Sequence, residues 1–199
     1  NGEVSNLTVV YNQQADITAT TLQAGGIAAV GGTFTNCAVY DFKLTNLKLS
    51  NTSYIGGICG KIEYTQDIDS CSVYNMQITN STISITYIGG ISGQCSITTN
   101  TNIITSCTIY NFTIENCVGG SYKSFCLGGV SGYVCGGSSH IGTISNCLVD
   151  DLYFSSVTSD DPCVGGVAGY SSNCTFTDNI VQNSTINSLY YLGGLIGFV

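Results

Sequence analysis

The sequence predicts an all-β chain folded as a single-stack parallel β-helix of about six coils, one coil per repeat. Three observations carry that expectation. Ile, Val, Thr and Tyr combine with Gly, Asn and Ser, a vocabulary of strands and tight turns, while Arg is absent and the strong helix formers are sparse. A Gly-Gly pair followed by an apolar residue recurs six times. A second, unrelated block recurs between the pairs. An antiparallel β-sandwich is the alternative, because short strands with glycine turns also suit it.

The Gly-Gly copies are Gly25-Gly26-Ile27, Gly56-Gly57-Ile58, Gly89-Gly90-Ile91, Gly128-Gly129-Val130, Gly165-Gly166-Val167 and Gly193-Gly194-Leu195. From the second copy onward a third glycine follows: Gly60, Gly93, Gly132, Gly169 and Gly197. The first copy has Ala28-Ala29 instead, so an irregular coil is expected there. The second block reads Cys37-Ala38-Val39-Tyr40-Asp41, Cys71-Ser72-Val73-Tyr74-Asn75, Cys107-Thr108-Ile109-Tyr110-Asn111, Cys147-Leu148-Val149-Asp150-Asp151 and Asn179-Ile180-Val181-Gln182-Asn183. Three residues after each closing acid or amide stands Leu44, Ile78, Ile114, Phe154 or Ile186. A weaker early copy is Thr8-Val9-Val10-Tyr11-Asn12. Residues 1–199 thus read as one domain, with a partial coil near 1–24 and repeats starting at 25, 56, 89, 128, 165 and 193.

These Gly-Gly-[Ile/Val/Leu]-x-Gly blocks resemble the GLUG-type repeats of β-solenoid surface proteins and adhesins. The resemblance implies extracellular display and leaves the ligand open. The cysteine content departs from the usual bacterial pattern of that family.

One repeat cannot bury its own apolar face, so copies must stack. Alternation along a strand places Val39, Val73, Ile109, Val149 and Val181 inside and Tyr40, Tyr74 and Tyr110 in an outward stack. The Asp41/Asn75/Asn111/Asp151/Asn183 column is expected at a corner, with amides bonding along the stack. The Gly pairs are expected at tight bends or positive φ, where a Cβ would clash.

Net charge is −8 with only four lysines, so the clustered cations that phosphate binding needs are missing. No apolar run is long enough to span a membrane. Eleven cysteines without CxxC pairs, together with sequons at Asn6, Asn51, Asn80, Asn111, Asn173 and Asn183, point to a secreted or cell-surface glycoprotein. Glycans are expected at the turn-like Asn6, Asn51, Asn80 and Asn173. Asn111 and Asn183 should stay bare, being held in the corner column. Cys126 and Cys163, each two residues before a Gly pair, are the first disulfide candidates. Cys95 and Cys135, which follow Gly pairs, are the second. At least one thiol is left over, in the inward Cys37/Cys71/Cys107/Cys147 column.

Catalysis is not expected. Glycoside hydrolysis needs paired carboxylates, and the local candidates are Asp150-Asp151 and Asp160-Asp161; the sole histidine, His140, precedes both in a Gly/Ser loop. The same acids could furnish calcium ligands, but solvated loop acids are the commoner outcome. No metal or cofactor is assigned. The expected function is structural: a subunit of a glycosylated filament, sheath or coat. An adhesin module binding a glycan or protein is the alternative. The chain closes on Leu195-Ile196-Gly197-Phe198-Val199, an apolar half-coil. Leu195, Ile196, Phe198 and Val199 are therefore the expected assembly residues of a head-to-tail homo-oligomer.

Overall fold

The computed structural model describes residues 2–12, 14–63, 66–96, 102–120, 125–137, 141–187 and 191–199. His140 lies outside the described residues. Among the described residues there is no helix, and every strand pairing is parallel. The antiparallel sandwich is thereby overturned.

The strands form four parallel sheets. The first contains Glu3–Ser5, Thr33–Thr35, Ile68–Asp69, Asn102–Thr105, Gly142–Ser145 and Cys174–Thr177. The second is larger and includes Thr8–Val10, Ala38–Tyr40, Ser72–Thr79, Thr108–Gly119, Leu148–Thr158 and Ile180–Gln182. The third contains Gln23–Gly25, Ser53–Gly56, Thr86–Gly89, Phe125–Gly128, Cys163–Gly165 and Tyr191–Gly193. The fourth contains Ala28–Val30, Cys59–Glu63, Ser92–Ser96, Ser131–Cys135, Ala168–Ser172 and Ile196–Phe198. Each repeat gives strands to the four sheets in the same order, so equivalent residues of successive repeats become hydrogen-bonded neighbours.

Register follows the repeated sequence column by column. Val39 pairs with Val73, Val73 with Ile109, Ile109 with Val149 and Val149 with Val181. The first four are fully buried and Val181, in the last repeat, is half-buried. Leu44, Ile78, Ile114 and Phe154 form a second buried column that ends on Ile186. Burial of such side chains is worth roughly 1.5–3 kcal/mol each.

The early copy is paired one residue away from the expectation. Val10, not Tyr11, lies beside Tyr40. That register puts Val9 on the core face below Val39, and a one-residue slip would turn it out. Tyr11 instead sits against Phe42, ring centroids 5.0 Å apart, and donates its hydroxyl to the Gly26 carbonyl at 2.8 Å.

Of the two expectations for the Gly pairs, positive φ is corrected. Apart from Gly31 and Gly32, every described residue with positive φ is Asn, Asp or Ser. These residues fall into columns: Asn6/Asn36/Ser70/Ser106/Asn146/Asp178, Asp41/Asn75/Asn111/Asp151/Asn183 and Asn46/Asn80/Asn116/Ser156, with Asn173 apart. Short polar side chains tolerate the left-handed region and bond locally. Asn75 donates to Asp41 at 3.1 Å and Asn111 to Asn75 at 2.9 Å, so the second column is the expected corner ladder.

The Gly pairs meet the other expectation, bends where a Cβ would clash. A Cβ on Gly56 would lie 2.1 Å from the Cys59 carbonyl of its own turn, and one on Gly57 would lie 2.1 Å from the Gly90 carbonyl of the next repeat. The first copy is not irregular: Gly25 pairs with Gly56 and Ala28 with Cys59.

Candidate functional site

All four sheets end on strands of the last repeat, and the apolar columns run into them. Leu192 continues the Ile88–Leu127–Val164 column and Ile196 pairs with Ala168. Leu192 is 48% exposed and Leu195 38%, whereas their equivalents Val164 and Val167 are buried. Val181, Ile186, Leu192 and Gly194 line a concavity of about 410 Å³ on this face. Of the expected assembly residues, Leu195 and Val199 are exposed, the latter by 81%, and Ile196 is half-buried. Phe198 pairs with Tyr170 and stacks on that ring at 5.5 Å.

Phe198 belongs to an aromatic ribbon that sequence reasoning missed. Tyr54 and Tyr87 in the third sheet lead to Tyr133, Tyr170 and Phe198 in the fourth, with centroid separations of 5.7, 5.0, 4.8 and 5.5 Å. Tyr191 closes the ribbon edge-on to Phe198 at 4.9 Å. The signal was in the repeat. The residue two before each Gly pair is Gln23, Tyr54, Tyr87, Cys126, Cys163 or Tyr191, and the residue after each third glycine is Lys61, Gln94, Tyr133, Tyr170 or Phe198. The small Cys126 and Cys163 hold the third-sheet positions in the repeats that carry Tyr133 and Tyr170 in the fourth. Lys61 lies 5.0 Å over the Tyr54 ring and pairs with Glu63 at 2.6 Å. Burial, then the neighbouring Cys126, pushes the Tyr87 hydroxyl up to about 12, so it stays protonated. The expected outward tyrosine stack is present in part: Tyr40 and Tyr74 are parallel at 4.7 Å, while Tyr110, next in register, is 46% exposed.

Cys126 and Cys163 stand directly opposite in adjacent strands, thiol against thiol, both buried under the ribbon. Cys95 and Cys135 are not equivalent, which corrects that pairing. Cys95 faces Ile62 and Val134, and Cys135 faces Ser96 and Ser172; the one-residue offset puts their side chains on opposite sides of the sheet. Cys95 is fully buried, and burial pushes its thiol up to about 12.

The Cys37/Cys71/Cys107/Cys147 column is buried and has a specific task. Each cysteine follows a left-handed residue, and its thiol donates to the carbonyl two residues back, at 3.4, 3.3, 3.2 and 3.4 Å in turn. Serines do the same elsewhere: Ser81 donates to Thr79 at 2.8 Å and Ser184 to Gln182 at 2.7 Å. The thiol replaces a partner that the turned backbone removes. Burial pushes Cys71 up to about 12 and Cys117 up to about 11, so neither is a ready nucleophile at neutral pH.

All four glycan candidates, Asn6, Asn51, Asn80 and Asn173, are exposed. The distinction drawn between turn and column positions fails for two of them. Asn6 and Asn80 head or join positive-φ columns and accept the amides of Asn36 at 2.7 Å and Asn116 at 3.4 Å. Asn111 is half-buried, whereas Asn183 is exposed and donates to Asp150 at 2.7 Å. Asp150 also accepts from Gln182 at 3.1 Å, and Asp151 occupies the left-handed corner with φ 62°. Among the described residues, no three His, Cys, Asp or Glu side chains gather as a metal site, and no helix is long and apolar enough to cross a membrane.

No family model, curated protein or solved structure matches this chain.

Proposed function

We propose that the four parallel sheets are the faces of one single-stack parallel β-helix of about six coils. On this reading the chain is an extracellular, N-glycosylated structural protein of the GLUG-repeat kind, joined end to end with further β-structure in a filament, sheath or coat. One observation carries it: equivalent residues of successive repeats stack in register, Val39 on Val73, Ile109 and Val149 inside and Asp41 on Asn75 and Asn111 at a corner, so the repetition serves stacking along the whole array. The aromatic ribbon supports the structural reading over the adhesive one. Sugar recognition uses an open ring face, and Tyr133 and Tyr170, parallel within 3°, cover each other's faces.

The adhesin reading rests on Tyr110 and Tyr153, exposed by 46% and 39% on the second sheet. Electron microscopy and sedimentation of the native protein separate the two. Fibres or sheets that disperse with Leu195→Asp are expected. A monomer at high concentration whose glycan binding disappears with Tyr110→Ala and Tyr153→Ala would transfer the function to the adhesive face.

A further inference from the structure

The second sheet sets two tyrosines of neighbouring repeats face to face. Tyr40 and Tyr74 are paired residues of the parallel strands Ala38–Tyr40 and Ser72–Thr79. Their ring centroids are 4.7 Å apart and their planes 10° from parallel. Thr8–Val10 flanks the first strand and Thr108–Gly119 the second, so the pair lies inside the array. Both rings are half-buried on the outward face, opposite the core residues Val39 and Val73. The buried Cys37 and Cys71 share the parity of those valines, which keeps their thiols on the other side of the sheet. Tyr110, next in register to Tyr74, is 46% exposed, so the column opens to solvent beside the pair.

A phenol that gives up one electron and its hydroxyl proton becomes a phenoxyl radical, with unpaired spin on the ring carbons ortho to oxygen. Two such radicals join through those carbons when they meet. Rings already held side by side replace that encounter with a step inside one molecule. Rotation about χ2, a broad torsion in tyrosine, turns an ortho carbon of each ring toward the other.

We propose that Tyr40 and Tyr74 are an oxidative modification site, joined as a dityrosine cross-link between neighbouring repeats by a peroxide-driven one-electron oxidant of the peroxidase class. Each ring loses one electron to the oxidant and its hydroxyl proton to water. A carbon–carbon bond forms between the ortho positions, and the hydrogens on those carbons pass through solvent to the oxygens, restoring both phenols. The two electrons and two protons released reduce one hydrogen peroxide to two waters. The link lies within one chain and needs no contact between copies, so it stands apart from the filament reading. The other parallel pair, Tyr133 and Tyr170, is set up against coupling. Its rings are packed between Tyr87 and Phe198, and the Tyr133 hydroxyl bonds with the Cys135 side chain. A thiol beside a phenoxyl radical returns a hydrogen atom to it and keeps the radical on sulfur, so this ring is repaired instead of joined. Burial also pushes the Tyr133 hydroxyl up, which holds the proton that oxidation must release.

Dilute full chain treated with a peroxidase and limiting hydrogen peroxide tests this. Dityrosine fluorescence should appear, and peptide mapping should recover Tyr40 joined to Tyr74 within one chain, two hydrogens lighter than the separate peptides. Tyr40→Phe and Tyr74→Phe each keep a stacking ring, and each should lose that peptide and most of the fluorescence. Tyr133→Phe with Tyr170→Phe should leave both readouts unchanged. A cross-link constrains the unfolded chain, so the joined protein should unfold at a higher midpoint than equally treated Tyr74→Phe. Tyr40→Cys with Tyr74→Cys reports the register independently of tyrosine chemistry, since paired residues of adjacent strands lie within disulfide reach. A disulfide there with dityrosine absent, or found only at other tyrosines, would overturn the site. Absence of both links would overturn the register of the second sheet as well.

Discussion

The sulfur of Cys71 accepts the backbone N–H of Cys37 across 3.4 Å while its own thiol donates to the Asp69 carbonyl at 3.3 Å. The cysteine thus bridges two neighbouring repeats at a corner, in the manner of Ser81, whose hydroxyl accepts from Leu47 at 3.1 Å and donates to Thr79. Cys71→Ser should therefore be tolerated. Cys71→Ala leaves a buried N–H and carbonyl short of a partner and should cost about 1–3 kcal/mol. Denaturant unfolding of the two variants checks the order.

Asn75 holds φ at 57° and links Asp41 to Asn111 through its side chain. Asn75→Ala loses both bonds and adds the left-handed penalty of roughly 1–2 kcal/mol. Asn75→Gly relieves the backbone and loses only the bonds, so it should be the more stable of the two. The reverse order would mean that the left-handed backbone conformation is not what limits substitution at this corner.

Gly90 is enclosed by the next repeat, where a Cβ would lie 2.3 Å from the Gly129 carbonyl and 2.8 Å from Ile109. Backbone cannot yield as a flexible side chain can. Gly90→Ala should destabilise by more than about 3 kcal/mol, beyond the usual range of point substitutions, or prevent folding, as seen by loss of the β circular-dichroism signal.

Alkali should loosen the fold. Burial pushes the Cys95 thiol from 9.0 to about 12. The folded value exceeds the unfolded one, so this contribution is fully present below pH 9 and drains away as pH rises toward 12. The difference is on the order of 4 kcal/mol. Cys95→Val, which suits a site between Ile62 and Val134, should flatten the alkaline loss of stability measured by unfolding across pH 8–11.

Oxidation should include one pair in particular. Parallel neighbours lie about 4.8 Å apart, inside the Cα range of roughly 4.4–6.8 Å that a disulfide accepts, and Cys126 and Cys163 are such neighbours. Non-reducing peptide mapping of oxidised protein should recover Cys126–Cys163, with a gain of about 3–4 kcal/mol over the reduced form. Recovery of Cys95–Cys135 would contradict the register of the fourth sheet.

Repetition in the chain was enough to define strand content, the inward Val39–Val73–Ile109–Val149 column and the Asp41–Asn75–Asn111 ladder. In parallel pairing, identical residue types fall on one another, so a periodic sequence states its own register. Its limits lay where one residue shifts the phase. Tyr11 resembled Tyr40 by neighbours alone, and only burial of Val9 chose the other register. Cys95 and Cys135 looked equivalent by their distance from glycine pairs, yet alternation sent them to opposite sides. What a glycine Cβ would strike was likewise tertiary: the repeat suggests bends without room for a Cβ, whereas the approach of Gly57 to Gly90 is visible only once two repeats lie side by side. The aromatic ribbon needed the third and fourth sheets to be brought together, because Tyr87 and Tyr133 are neighbours in space through two different sheets and in no local pattern. Sequence determined which residues repeat; the packing between repeats decided what each repetition is for.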